Sequence, residues 1–219
     1  MRRFTYILLC VTAGYIVTAG EGFTTTKNIF VGKVFSAGDP AEAVSLRAQF
    51  EALRAELLHA KLGIDRGKTQ KEVSAKIYSL YPFSDKSLVT VNVGRAQGVR
   101  EGMPVVVERT LLLGRVRSVY EGTSTVQTVF DPKFRIPVRT GEEEGDALYV
   151  GGLTPALQLI EAKSGVMSGD FVLSASADLP YGLVLGTVHE VVEKGLLKEA
   201  TIRPSFEMKF VRNASVILW

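Results

Sequence analysis

The feature that most constrains this chain is a short pattern that occurs twice. Gly98-Val99-x-x-Gly102 followed by Val105-Val106-Val107 recurs as Gly165-Val166-x-x-Gly169 followed by Phe171-Val172-Leu173. Gly114-x-Val116-x-x-Val119 recurs as Gly186-x-Val188-x-x-Val191. A pattern repeated in the same order means one small unit built twice. Gly98, Gly102, Gly114, Gly165, Gly169 and Gly186 are read as structural turn positions, because glycine alone enters positive φ without a steric penalty. Between them lie short β-branched runs, expected as strands over 88–93, 105–108, 115–120, 125–130, 136–139, 147–150, 156–161, 171–174, 183–192, 197–203 and 215–218. Regular short strands with Gly and Pro punctuation predict an all-β sandwich or barrel. The break is placed near Asp146 or Gly151, giving a first β unit over 73–146 and a second over 147–219.

Ahead of the β portion the period changes. Ala43, Leu46, Phe50, Leu53, Leu57, Ala60 and Ile64 alternate spacings of three and four, which is the a/d seam of a coiled coil over 41–66. Glu42 and Glu56 then fall at g, and Arg47, Arg54 and Lys61 at e, so opposite charges flank the seam of a parallel pair. Asp39 is placed as N-cap and Pro40 at the first helical position, with Gly63 and Gly67 after the end. A single amphipathic helix packed on its own domain fits the same spacing. Isolated helices of this length are marginal in water, so pairing needs support from elsewhere in the chain.

Arg2 and Arg3 precede an apolar run over 4–19, and a Thr, Gly and Ser rich linker follows over 21–40. The run makes roughly 25 Å of helix against a hydrocarbon core of roughly 30 Å, so it spans with local thinning or snorkelling. With basic residues only on the leading side, the N-terminus stays in the cytoplasm and the body is exported. The expectation is a single-pass anchor over 1–20 in the cytoplasmic membrane. A cleaved signal peptide is the rival, because Val17-Thr18-Ala19 suits a signal peptidase. A lipoprotein reading at Cys10 places a bulky leucine where a small residue is needed.

Several kinds of chemistry are excluded or disfavoured. Twenty-six basic against 23 acidic residues, interspersed, leave no nucleic-acid footprint. One cysteine allows neither an intrachain disulfide nor a paired-cysteine metal site. The two histidines, His59 on the expected helix and His189 in an expected strand, have no Gly-flanked serine resembling a nucleophile elbow, so a protease is not expected. Glu142-Glu143-Glu144 reads as a solvated loop: adjacent side chains in extended chain point to alternate sides, unlike the ligands of a calcium loop. Arg115 with Arg117, and Arg135 with Arg139, share strand faces; solvent-facing alternation explains them, and they are also candidates for a partner surface. No enzyme activity, cofactor or metal is expected.

Taken in order, the segments Val91-Asn92-Val93-Gly94, Gly98-Val99-Arg100-Glu101-Gly102-Met103-Pro104-Val105-Val106, Leu113-Gly114-Arg115-Val116 and Phe130-Asp131-Pro132-Lys133-Phe134-Arg135-Ile136-Pro137-Val138 resemble the MreC family of bacterial cell-shape proteins. The second unit continues the resemblance with Gly165-Val166-x-x-Gly169-Asp170-Phe171-Val172, Leu179-Pro180-Tyr181-Gly182-Leu183-Val184-Leu185-Gly186-Thr187-Val188 and Val216-Ile217-Leu218. The resemblance covers roughly 73–218. It implies a membrane anchor, a dimerising coiled coil and two related six-stranded β-barrels outside the cytoplasmic membrane. It also implies a scaffold of the elongation machinery that makes peptidoglycan. Such a scaffold contacts MreD, links to the MreB system, and engages a penicillin-binding transpeptidase and RodA. The anchor and coiled coil are short for the family, and Ser174-Ala175-Ser176-Ala177-Asp178 stands where a more glycine-rich turn is usual. The other binding class with these parts is the periplasmic adaptor of efflux-type transporters, which needs a helical hairpin between β segments, whereas the helical stretch here precedes them all. The seam makes its own prediction: Leu53→Asp should convert a self-associating chain to a monomer in sedimentation, and a wild-type monomer would remove the coiled coil.

Overall fold

The structure is a computed structural model and describes residues 49, 50, 53, 57, 60, 71–78, 86–141 and 145–218. The expected anchor over 1–20, the linker over 21–40, and the seam residues Ala43, Leu46 and Ile64 lie outside them. Phe50, Leu53, Leu57 and Ala60 are helical and exposed. Among the described residues no helix is long and apolar enough to cross a membrane.

The body is mainly β. Its strands are β1 (Lys71–Lys76), β2 (Leu88–Val91), β3 (Pro104–Val107), β4 (Leu111–Val119), β5 (Ser124–Thr128), β6 (Arg135–Thr140), β7 (Gly145–Val150), β8 (Ala156–Glu161), β9 (Phe171–Ser174), β10 (Val184–Lys194), β11 (Leu197–Pro204) and β12 (Asn213–Leu218). Strands β6 to β11 close on themselves in the order β9-β10-β11-β8-β7-β6, with β6 pairing back to β9. The other six follow the order β3-β4-β5-β2-β1-β12, with β12 pairing back to β3. In this second set β1 and β2 meet at the Ile77–Val91 bridge, flanked by hydrogen bonds from Tyr78 N to Thr90 O (2.9 Å) and Asn92 N to Lys76 O (3.1 Å).

The two orders are the same, position for position. The repeat occupies β3-β4-β5 and β9-β10-β11, and it reproduces individual hydrogen bonds. Gly102 N donates to Val116 O (2.9 Å) as Gly169 N donates to Val188 O (2.8 Å). Val116 N donates to Met103 O and Val188 N to Asp170 O, each at 2.8 Å. A bulge follows at the same place in each copy, between Val116 and Ser118 and between Val188 and Glu190. Bulges raise local twist, which a narrow barrel needs in order to close.

Pairing does not follow the boundary expected at 146 and 147. β6 pairs with β7 and β9, and β12 pairs with β1 and β3, so the second ring begins at Arg135 and the last strand completes the first ring. The physical reason is that β6 and β12 hold equivalent ring positions, and each needs both neighbours to satisfy its backbone groups.

The glycines also divide. Gly98 (φ 83°), Gly102 (φ 85°) and Gly169 (φ 97°) are the expected positive-φ turns. Gly165 is not among the positive-φ residues; the turn before it is closed by Ser164 N donating to Glu161 O (3.0 Å). Gly114 and Gly186 are not turn residues either. They lie inside β4 and β10, where a Cβ would stand 2.0 Å from Gln127 O and 2.5 Å from Arg203 O. These positions need glycine for close backbone approach.

The rings meet where β4 and β10 begin, through the parallel pair Leu111–Val184 and the hydrogen bond from Val184 N to Thr110 O (3.0 Å). Leu111, Leu112 and Leu113 are all fully buried, as are Leu183, Val184 and Leu185. A continuous apolar run buried on both faces replaces the usual alternation here. Nearby, Tyr149 of β7 donates its hydroxyl to Val129 O (3.1 Å) and packs edge-on against Phe134 (6.1 Å between centroids). Burial pushes the Tyr149 phenol above its ordinary pKa.

Two outcomes follow. Gly114→Ala should destabilise the fold by about 3 kcal/mol, the upper range for overpacking, while Gly102→Ala, strained but in open space, should cost about 1 kcal/mol in urea unfolding. Equal costs would contradict the steric assignment. For Tyr149 the folded state retains its proton above the unfolded pKa of about 10, so its contribution is complete below that pH and is lost as pH rises, by about 1.4 kcal/mol per unit. Tyr149→Phe should remove that alkaline slope and lower neutral stability by about 1 kcal/mol, read from unfolding between about pH 9 and 11. An unchanged slope would contradict the burial argument.

Candidate partner-binding site

With side chains alternating across each strand, the outer wall of the barrels is the surface a partner can reach. The four arginines singled out by alternation lie on this wall but differ in what they touch. Arg115 and Arg117 are on β4, and Arg135 and Arg139 are on β6, in different rings.

Arg115 is part of the junction. Its Nε donates to Gln127 Oε1 (3.4 Å) and its guanidinium lies over the Phe134 ring (5.6 Å). Gln127 in turn donates Nε2 to Asp131 Oδ2 (2.9 Å), and Asp131 Oδ1 accepts from Lys133 N (2.8 Å). This buried chain fixes the crossover from β5 to β6. Arg139 is also engaged. It bonds Asp146 across the β6–β7 hairpin (3.1 Å) and lies over Tyr181 (5.9 Å to the ring centroid). The Tyr181 hydroxyl, and after it Asp146, hold this guanidinium above its usual pKa.

Arg117 and Arg135 are exposed, and neither side chain has a hydrogen bond or ion pair to a described residue. Arg117 occupies the bulge of the first repeat, at the position that His189 occupies in the second. A bulge re-aims a side chain away from the regular pleat.

The sequence reading missed several exposed apolar residues on the second ring. Leu196, 90% exposed, forms the tip of the β10–β11 hairpin after Gly195 (φ 67°). Val192 and Leu197 are exposed on the same hairpin. Leu159 of β8 sits where the pairing to β11 slips between Lys198 and Ala200; it is 58% exposed and has φ 60°. A leucine held in the left-handed region at an irregular strand position is strained, and such strain concentrates where a side chain has a task outside the core. The legible signal was Gly195-Leu196-Leu197, a turn carrying two leucines where polar residues are usual. Among the described residues there is no group of three or more His, Cys, Asp or Glu side chains that could hold a metal ion. The arrangement offers contact chemistry: two unpaired cations and an apolar hairpin tip.

Comparison with known proteins gives this double barrel a family. The model described as "Rod shape-determining protein MreC, barrel core" matches residues 79–218. The cell shape-determining protein MreC of Bacillus subtilis (strain 168) is 26% identical over 196 residues, covering 81% of this chain and 66% of the relative. The chain thus spans about two thirds of that relative's length. Among solved structures, MreC from Pseudomonas aeruginosa superposes with a TM-score of 0.60 at 22% identity, over 68% of this chain and 99% of the other. The structure titled as a complex between penicillin-binding protein PBP2 and MreC from Helicobacter pylori gives a TM-score of 0.55 at 13% identity, over 68% of this chain and 99% of the other. With its repeated double barrel and a family match across most of its described residues, the chain belongs to the MreC family of rod shape-determining proteins.

Proposed function

We propose that this chain is a membrane-anchored, extracytoplasmic scaffold of the bacterial elongation machinery, which works by holding a penicillin-binding transpeptidase and performs no reaction itself. The observation that carries this reading is the match of the double barrel to nearly the whole of an MreC chain solved with PBP2. The surface chemistry agrees with it: the exposed features that stand out are contact features, an apolar hairpin and unpaired arginines, of the kind enriched at protein interfaces.

In this reading residues 1–20 hold the chain in the cytoplasmic membrane with the barrels outside, and 41–66 pair with a second copy. Phe50, Leu53, Leu57 and Ala60 support the pairing, because they are helical and exposed along one a/d seam, which this chain's own barrels leave uncovered. MreD, the MreB system and RodA are the further partners of such a scaffold. Tethering at the membrane raises the effective concentration of partners held there, so modest contacts suffice.

The test is co-purification of the detergent-solubilised full chain with the elongation transpeptidase of the same organism. The wild type should retain the transpeptidase, and Leu159→Ser/Leu196→Ser or Arg117→Ala/Arg135→Ala should weaken retention at least about ten-fold, the equivalent of about 1.4 kcal/mol. No retention by folded wild type would defeat the scaffold reading, and retention unchanged in both variants would move the contact to another face.

A further inference from the structure

The two backbone crossovers between the rings border a pocket that neither ring needs for its own closure. One crossover runs from β5 to β6 through Phe130, and the other from β11 to β12 through Pro204–Phe210. Phe130 and Phe206 meet edge to face across the gap (5.7 Å between centroids). The pocket encloses about 390 Å³, a volume suited to a few side chains of a peptide. Phe130, Phe206 and Met208 are buried and form an apolar lining. Leu153, 86% exposed, stands in the loop between β7 and β8 and extends that lining into solvent.

The charged groups of the pocket are mostly basic. Among the described residues Lys86, Arg203 and Lys209 line it against one carboxylate, that of Glu207. Glu207 pairs with Lys209 (2.8 Å), and that ammonium also lies over the Phe210 ring (4.7 Å). Arg203 has a side-chain contact with His189 Nδ1 (3.4 Å), which brings no negative charge. Lys86 has no ion pair among the described residues. Among the described residues, two of the three cations are therefore without a counter-charge. Ser205, also in the lining, is 94% buried and its Oγ has no hydrogen-bond partner. A buried hydroxyl without a partner is unfavourable, and a ligand oxygen within reach of a rotated hydroxyl relieves it.

We infer that this pocket docks a short acidic segment of a partner protein, with one apolar or aromatic side chain against Phe206, Met208 and Leu153 and a neighbouring carboxylate held by Lys86 and Arg203. The occupant's chemistry follows from complementarity: an unpaired basic rim selects carboxylates, and an apolar lining with an exposed leucine beside it selects a hydrophobic anchor. Three cations around one local pocket are too few for a nucleic-acid track. The inference extends the scaffold reading by naming the chemistry of a bound segment, and it is read without the transpeptidase.

The experiment uses the full chain in neutral detergent and a fluorescein-labelled peptide, Glu-Asp-Phe-Asp-Glu, followed by anisotropy. Wild type should bind saturably with a Kd on the order of 10⁻⁴ M, as expected of a short anchor segment. Binding should weaken at least about ten-fold for Gln-Asn-Phe-Asn-Gln, for Glu-Asp-Ser-Asp-Glu, and on raising salt from about 0.05 to 0.5 M. Lys86→Glu/Arg203→Glu should abolish it. Leu153→Glu, at an exposed position that the fold does not rely on, should weaken it at least about ten-fold and decides the matter if the charge variant fails to fold. No saturable binding by wild type, or equal binding by Leu153→Glu, overturns the inference. Peptide binding lost in Leu153→Glu with transpeptidase retention intact separates this pocket from the surface tested above.

Discussion

The start of β4 running beside the start of β10 is the contact on which the rest of this structure depends. A small β-barrel closes around its own side chains, and two such barrels on one chain can remain independent beads. Here Leu111–Leu113 and Leu183–Leu185 are fully buried, so the wall of each ring is also core for the other. The β5–β6 crossover is tied to this place, through Val129 N donating to Leu113 O (2.9 Å). Phe134, just after Asp131-Pro132, packs on Tyr149, and Gly151 approaches so closely that a Cβ would meet Asp131 O at 2.2 Å. The hydrophobic effect explains the burial; the backbone hydrogen bond from Val184 to Thr110 fixes its register.

That junction accounts for the uneven distribution of strands. After β5 the chain crosses into the second ring, completes all six of its strands, and returns only for β12. β12 then lies between β1 and β3, with six residue pairs to β1 from Lys71–Leu218 to Lys76–Asn213. The first ring therefore joins the earliest described strand to the last, and its contacts are the most non-local in the fold. Non-local pairing carries the larger loop-closure entropy, so the second ring, continuous from Arg135 to Pro204, has the simpler route to form first.

What the sequence made legible follows from the range of the interaction involved. β8 and β9 could be bounded from their residues because alternation and flanking turns are local signals. β1 was missed because Lys71-Glu72-Val73-Ser74-Ala75-Lys76 buries only Ala75, and its assignment as a strand comes from its partners. The front of β4 was missed because the turn before it uses Glu108 (φ 48°) and Arg109 (φ 65°), neither of which signals positive φ. Ring membership was illegible because β6 and β12 are chosen by strands far away in sequence. The arginines show the same limit at the surface: alternation placed all four outside, but only Gln127, Phe134, Asp146 and Tyr181 reveal that Arg115 and Arg139 are already engaged. The repeat itself was legible because its glycines and apolar runs recur in one order, whereas the bulge the copies share appears only in the pairing registers.

The division between engaged and unengaged surface groups bears directly on how such a protein works. Arg115 and Gln127 reach from the first ring to Phe134 and Asp131, so the outer wall near the junction is committed to holding the crossover in place. A partner that bound there would have to compete with that network and would lose stability in proportion. Away from the junction the wall carries no such duty. Leu196 at a hairpin tip and Leu159 in an irregular part of β8 contribute little to burial, yet exposing them costs solubility, and holding Leu159 at φ 60° costs conformational energy. Among the described residues neither leucine is covered. On physical grounds exposed leucines gain more from being covered than exposed arginines do, because water already solvates a guanidinium well and an apolar side chain poorly.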